Sequence, residues 1–187
     1  MIDRNSSLED ICFAVSSVLH KYDIAAVLTG GSAAAIYVPE VNTSKDADFV
    51  LDEKPSRAIL TQALGELGFV PSPTAGMFKH PNSEFTIDFP RGPLAVGGEY
   101  VRETATLVRG ELRLRILMPL DCVRDRLAHF YHWNDYQALS AAAVVARTHC
   151  DANDFVELEA WTERENSPGK NFRAKYEEFQ RRVQRAK

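Results

Sequence analysis

The sequence predicts an α+β fold, with a mixed β-sheet flanked by helices over residues 1–118 and a helical region over residues 119–187. Two observations favour this division. Short apolar or alternating segments, which are typical of strands, occur only before residue 118 and are separated by helical patterns. After Pro119 the apolar residues recur at helical spacing. A chain of 187 residues is long enough to bury a core without disulfides.

The first predicted element is a helix that Ser6 or Ser7 caps, with Glu9 and Asp10 in its first turn and an end near Asp23. Its apolar residues recur at helical spacing: Leu8, Ile11, Cys12, Val15, Val18 and Leu19. The apolar run at 24–28 follows directly and predicts a buried strand.

A glycine turn then joins this strand to a short helix. Gly30-Gly31-Ser32 makes the turn, and the apolar segment after it predicts a helix that ends before Pro39. Residues 46–51 predict a second strand. Pro55 fits the first turn of another helix, which we expect to run to about residue 67.

The remaining strands are short. Residues 77–79 predict a short strand, and residues 84–89 alternate strictly between apolar and polar side chains, which indicates a half-buried strand. The stretch RGPLAVGG predicts an irregular connection. Residues 106–108 and 111–117 predict a hairpin that turns at Arg109-Gly110.

From Pro119 the sequence predicts helices only. Pro119 begins one helix, and Asn134 or Asp135 caps the next, which carries the alanine-rich stretch ALSAAAVVA. Two more helices are expected over residues 151–165 and 167–186.

The composition excludes several classes of protein. The formal net charge of −4 argues against a surface that is basic throughout, although a local basic patch remains compatible with it. No apolar run approaches the roughly 20 residues that a membrane span needs, and the first ten residues lack the apolar core of a signal peptide. The three cysteines, Cys12, Cys122 and Cys150, have neither metal nor disulfide spacing. These features predict a cytoplasmic protein without a membrane partner.

One set of residues predicts phosphoryl chemistry. Glycines at a strand-to-helix turn allow a close backbone approach, and amides at a helix N-terminus attract phosphate oxygens. Ser32 adds a hydroxyl donor to this turn. Asp46 and Asp48 project from the same face of one strand, and Asp88 lies on the polar side of a later strand. Converging carboxylates repel one another, and a divalent cation relieves that repulsion.

The ordered set resembles the nucleotidyltransferase superfamily of the DNA polymerase β type. The matching motifs are Leu28-Thr29-Gly30-Gly31-Ser32, Asp46-Ala47-Asp48 and Thr86-Ile87-Asp88-Phe89. The segment Thr43-Ser44-Lys45-Asp46 and the helical tail are similar to the minimal bacterial members of the toxin–antitoxin and abortive-infection kind.

The resemblance implies a nucleotidyltransferase-like core and an enzyme that moves a nucleoside monophosphate from a nucleoside triphosphate, ATP among them, to an acceptor hydroxyl. Mg²⁺ or Mn²⁺ would be held by Asp46, Asp48 and Asp88, with Asp88 as third ligand or general base. Gly30, Gly31, Ser32 and Lys45 would bind the nucleotide. The acceptor would be RNA or protein, with a possible antitoxin-type partner. A small antibiotic-type acceptor and a non-catalytic binding module are the alternatives.

The sequence leaves several roles open. Lys45 would contact a triphosphate or pair with an acid, and Arg91 would touch a phosphate or lie free on the surface. Asp125 and Arg126 would form a structural pair or contact substrate. An aromatic cluster would pack between helices or stack on a base: His129, Tyr131, His132 and Trp133.

The last stretch of the chain also has two interpretations, because it is basic in an otherwise acidic protein. It would contact RNA or an acidic partner, or form a solvated helix face. Its basic residues are Arg164, Lys170, Arg173, Lys175, Arg181, Arg182, Arg185 and Lys187.

Overall fold

The computed structural model describes residues 2–40, 44–74, 76–166 and 169–185. Within these residues the helices are α1 (Leu8–Lys21), α2 (Gly30–Tyr37), α3 (Arg57–Gly65), α4 (Pro119–Trp133), α5 (Tyr136–His149), α6 (Ala152–Glu165) and α7 (Phe172–Arg185). The strands are β1 (Ala26–Thr29), β2 (Asp46–Leu51), β3 (Val70–Pro71), β4 (Phe78–Lys79), β5 (Thr86–Asp88), β6 (Ala95–Val96), β7 (Glu99–Tyr100), β8 (Thr104–Arg109) and β9 (Leu112–Leu117).

The main sheet is mixed, which confirms the predicted α+β class. Its strand order is β3-β4-β5-β2-β1-β9-β8. The central pair β1 and β2 is antiparallel, whereas β2 with β5 and β1 with β9 are parallel pairs. Strands β6 and β7 form a separate small hairpin. The parallel β2–β5 pair matters most for function, because it brings residues that are distant in sequence into register.

Local sequence signals explain where the helices begin and end. Ser7 caps α1 in a capping box with Asp10, so the second of the two predicted serines is the cap. Asp135 caps α5 by accepting hydrogen bonds from two backbone amides of its first turn. Asn134 instead ends α4 in the left-handed conformation that asparagine tolerates. The two candidate caps therefore serve neighbouring helix ends.

Several predicted boundaries were wrong. Helix α3 begins after Pro55, because Ser56 accepts the capping hydrogen bond from the amide of Ile59. It ends at Gly65, two residues earlier than expected. Strand β1 starts at Ala26 and extends to Thr29. Arg109 pairs with Leu112, so the hairpin turns at residues 110–111.

The glycine-rich stretch RGPLAVGG is also more regular than predicted, since it contains β6. Strand β3 was not predicted. The last helix begins at Phe172. Thr43, Ser167, Ala186 and Lys187 lie outside the described residues.

One hydrophobic cluster joins the sheet to the helical region. Val15 of α1, Leu28 of β1, Leu114 of β9, Leu127 of α4 and Trp161 of α6 all belong to it and are fully buried. The division at residue 118 stays a prediction, but the core runs across it. Helices α4 and α5 pack against α2, which places the helical region beside the glycine turn.

Candidate active site

The strand register brings the predicted aspartates together. Thr29 pairs with Asp48 across β1 and β2, and Asp48 pairs with Asp88 across β2 and β5. Neighbouring strands lie about 4.8 Å apart, and alternate residues of a strand share one face. Asp46 and Asp48 therefore share a face of β2, and Asp88 lies beside Asp48 on the next strand.

The glycine turn lies directly over Asp48. Gly30 has a φ of +71°, and a β-carbon added there would lie 2.5 Å from Oδ2 of Asp48. The hydroxyl of Thr29 also donates to the carbonyl oxygen of Asp48, at 3.3 Å. Glycine at position 30 is thus required both by its backbone conformation and by the space that the carboxylate occupies.

The three carboxylates line the same cleft, and the charges of Asp46 and Asp88 act on Asp48. The pKa of Asp48 rises to about 6, first because the side chain is partly buried and then because Asp88 and Asp46 carry like charges. Asp125 adds to this effect, while the positive charge of Arg126 opposes it. Because these negative charges repel one another, the binding of a cation at this site is favourable.

The surroundings of Asp46 and Asp88 differ from those of Asp48. Asp46 is exposed, and its carboxylate accepts a short hydrogen bond from the hydroxyl of Thr86, its partner in the register. Oδ1 of Asp88 accepts a hydrogen bond from the backbone amide of Phe89 at 2.8 Å. Among the described residues, no three His, Cys, Asp or Glu side chains are placed as a group that could hold a metal ion.

The donor chemistry nevertheless fits a hard divalent cation, because Mg²⁺ and Mn²⁺ prefer carboxylate oxygens. Asp48 and Asp88 are adjacent, and their charges repel. The metal-binding role of Asp46, Asp48 and Asp88 stays a prediction.

A cleft of about 620 Å³ opens over this face of the sheet. The glycine turn, the three aspartates and Lys45 line one side of it. Arg91 also lines it, together with the segment up to β6. The helical region forms a further part of the lining, the helical wall, through α4 and α5. A volume of this size is typical of a small-molecule site.

The helical wall supplies polar residues whose role the sequence left open. Asp125, Arg126 and His129 of α4 line the cleft, as do Asp135 and Gln137. The three α4 residues share a face because residues one turn apart in a helix are neighbours. That periodicity, at the edge of the buried face of α4, is the signal that could have identified them.

Arg126 is the most constrained of these residues, being only 8% exposed. Its Nε and Nη2 atoms donate to Oδ2 of Asp125, at 3.0 and 2.7 Å. The structural pair is therefore present, and both side chains also line the cleft, while their contact with substrate stays a prediction. The pKa of His129 is lowered by burial and by the charge of Arg126.

The nucleotide-binding residues predicted from sequence fall into two groups. Gly30, Gly31 and Lys45 line the cleft, and the ammonium group of Lys45 pairs with Glu84 at 2.8 Å on the surface. Ser32 is fully buried, and its hydroxyl donates to the carbonyl oxygen of Thr29 at 2.9 Å. The structure does not bring Ser32 into the cleft lining.

The aromatic cluster is likewise divided. Tyr131 is buried, stacks with Trp161 and Phe172, and shares a hydrogen bond with Thr162. Trp133 is 69% exposed, and its ring lies 4.9 Å from that of His129. Packing accounts for Tyr131, whereas Trp133 remains exposed beside a residue that lines the cleft.

Comparison with solved structures identifies the fold. The solution structure of the antibiotic-resistance factor ANT(2″)-Ia matches with a TM-score of 0.53 and 12% identity, over 92% of this chain and 94% of that one. The fold is that of a nucleotidyltransferase. The crystal structure of ANT(2″)-Ia in complex with adenylyl-2″-tobramycin gives a TM-score of 0.52 and 13% identity, over 90% and 98% of the two chains.

This likeness confirms the nucleotidyltransferase-like fold that the sequence resemblance implied. The toxin–antitoxin subtype stays a prediction. No protein-family model matches the chain, and no curated protein does. In the described part of the chain, no helix combines the length and apolarity that crossing a membrane requires.

Proposed function

We propose that the protein is a metal-dependent nucleotidyltransferase. The observation that supports this most directly is the register of Asp48 with Asp88 beneath the Gly30-Gly31 turn, inside a cleft of a nucleotidyltransferase fold. In the proposed reaction an acceptor hydroxyl attacks the α-phosphorus of a nucleoside triphosphate. The new oxygen–phosphorus bond forms as the bond to pyrophosphate breaks, and the hydroxyl proton passes to a base.

The glycine turn binds the triphosphate in this proposal. Helix α2 begins at Gly30, and the N-terminus of a helix favours phosphate oxygens. Lys45 and Arg91 line the same cleft and supply positive charge. Arg126 adds a third positive charge from the helical wall, and its Nη1 atom makes no hydrogen bond within the described part of the chain.

Asp46, Asp48 and Asp88 would hold the divalent cations. Bound Mg²⁺ or Mn²⁺ would neutralise the carboxylates and the negative charge that develops on the phosphate oxygens during transfer. Asp88 would act as third ligand or as the base that takes the hydroxyl proton. These carboxylates position the reactants, and positioning with charge stabilisation supplies most of the catalysis in phosphoryl transfer.

We further propose a small, positively charged acceptor. The cleft carries five aspartates, Asp46, Asp48, Asp88, Asp125 and Asp135, against the three cationic side chains of Lys45, Arg91 and Arg126. The charge of two divalent cations would balance the charge of a triphosphate. The negative charge of the aspartates that exceeds the charge of the three cationic side chains would then attract the acceptor. The neighbouring structure with adenylyl-2″-tobramycin shows a small-molecule product on this fold.

Calorimetry with each of the four ribonucleoside triphosphates, with and without Mg²⁺, tests the nucleotide site. We expect Mg²⁺-dependent binding that Asp46→Asn/Asp48→Asn abolishes. Glu53→Gln/Glu111→Gln is the matched control, because it removes two exposed acids elsewhere on the chain. Binding that needs no metal, or that survives in the double aspartate variant, would refute the proposed site.

Labelled triphosphates then test the acceptor. We expect label to pass to an aminoglycoside or another small polyamine with hydroxyl groups. The RNA or protein acceptor and the antitoxin-type partner implied by the sequence resemblance are tested in parallel, by presenting total RNA and total protein under the same conditions. Label in either of those pools alone would replace the small-molecule proposal.

A further inference from the structure

Three of the six basic side chains in α6 and α7 are held within the protein. Arg164 pairs with Glu99 at 2.6 Å, and Arg173 pairs with Glu163 at 3.2 Å. The ammonium group of Lys175 donates to two backbone carbonyls at the end of α4. Structural partners therefore account for much of the positive charge that distinguishes this part of the sequence.

Three arginines of α7 differ from the rest. Arg181, Arg182 and Arg185 are exposed, and none makes an ion pair or a hydrogen bond with another residue in the described part of the chain. Residues 181 and 185 are one helical turn apart, so their side chains leave the same face of α7. These three guanidinium groups are available to a ligand.

The three arginines line a groove of about 520 Å³ between α7 and α5. Small or medium residues of α5 form its other side: Ser140, Ala143 and Val144. Glu178 is its one acidic lining residue within the described part of the chain. The groove thus has three positive charges against one negative charge, in a protein whose formal net charge is −4.

This groove is separate from the active-site cleft. Gln137, Ala138 and Ala141 of α5 line the cleft, whereas Ser140, Ala143 and Val144 line the groove. With 3.6 residues per turn, the centres of these two sets are about 110° apart around α5. The groove and the cleft share no lining residue.

We propose that the groove binds the phosphate backbone of a nucleic acid strand. Guanidinium groups bind phosphate through paired hydrogen bonds, and an array of them along one helix suits a ligand with repeated phosphates. A protein partner fits less well, because among the described residues Val144 is the largest apolar side chain that lines the groove, and none of those lining residues is aromatic. The proposal is independent of the nucleotidyl transfer proposed above.

Fluorescence anisotropy of the full chain with labelled single-stranded oligonucleotides of RNA and DNA tests the groove. We expect binding whose logarithmic salt dependence has a slope of about −2, since three phosphate contacts contribute about −0.7 each on a single strand. Arg181→Gln/Arg182→Gln/Arg185→Gln should weaken binding roughly tenfold or more and bring that slope close to zero. Comparison of the two oligonucleotides shows which nucleic acid is preferred.

The matched control is Arg4→Gln/Lys54→Gln/Arg57→Gln, which removes the same charge from exposed positions away from the groove. Equal weakening by both triple variants, or no binding by the wild-type chain, would overturn the proposal. So would tripolyphosphate or a polyglutamate peptide binding as tightly as the oligonucleotides. Mg²⁺-dependent binding of nucleoside triphosphate, measured in the groove variant, reports separately on the active-site cleft and on folding.

Discussion

A β-carbon on Gly30 would lie 2.5 Å from Oδ2 of Asp48. The glycine turn and the Asp48 carboxylate are therefore in close contact, although 17 residues lie between positions 30 and 48 in the sequence. Antiparallel pairing of Thr29 with Asp48 produces this contact. The close approach means that changes to the turn act on the carboxylate directly.

Gly30→Ala should therefore damage both the fold and the site. The positive φ costs about 1–2 kcal/mol for an L side chain, and the new methyl group displaces the Asp48 carboxylate. Gly110→Ala is a matched control, because Gly110 has a φ of +61° with nothing within 4 Å of an added β-carbon. We expect urea denaturation to show destabilisation of both variants, and calorimetry to show loss of nucleotide binding only in Gly30→Ala. Wild-type nucleotide affinity in Gly30→Ala would contradict the packing argument.

The raised pKa of Asp48 predicts how stability depends on pH. The folded pKa of about 6 lies above the value of 3.8 expected for an unperturbed Asp. As the pH rises between these values, the unfolded chain releases its proton first, so this group's contribution to the free energy of unfolding falls. Allowing for partial exposure, we expect a loss of about 2 kcal/mol that is complete above pH 6.

Asp48→Asn removes this titration. In urea denaturation with a metal chelator, the stability of Asp48→Asn relative to wild type should increase between pH 4 and pH 6 and then stay constant. Addition of Mg²⁺ at neutral pH should stabilise the wild-type chain and leave Asp48→Asn unchanged. A difference that is the same at every pH would show that Asp48 does not carry the shifted pKa.

Local signals predicted the fold class well, because most elements are encoded by residues close in sequence. Alternating residues predicted a strand at 84–89, and the structure places β5 at Thr86–Asp88. The predicted element boundaries were wrong where two local signals competed. Pro55 is acceptable in a first helical turn, but Ser56 provides the cap, and the cap determined where α3 begins.

The site could be predicted only in part for a physical reason. Spacing along β2 indicates that Asp46 and Asp48 share a face, but nothing local indicates that β5 pairs with β2 in parallel. The helical wall depends on tertiary packing as well. Arg126 lines the cleft because α4 packs against α2, and the sequence alone could not distinguish that from a structural pair with Asp125.

Arg126→Gln should weaken nucleotide binding and shift the acid limb of the pH–rate profile upward. Its charge lowers the pKa of Asp48, so its removal should raise that pKa further. Because hydrogen bonds to charged groups contribute about 1.5–3 kcal/mol, we expect KM for the triphosphate to rise roughly tenfold or more. Arg124→Gln is the control, since Arg124 pairs with Asp121 and Glu157 and does not line the cleft. The same effects in both variants would indicate a purely structural role.

Trp133 should report on the bound nucleotide. The chain has two tryptophans, of which Trp133 is 69% exposed and in ring contact with His129, whereas Trp161 is fully buried. His129 lines the cleft, so a base that stacks near this wall should quench the fluorescence of Trp133. Addition of Mg²⁺ and triphosphate should therefore quench the wild-type chain, and Trp133→Phe should abolish the response while calorimetry still detects binding. Quenching that persists in Trp133→Phe would assign the signal to Trp161, and would mean that the nucleotide acts on the helical core rather than on the rim of the cleft.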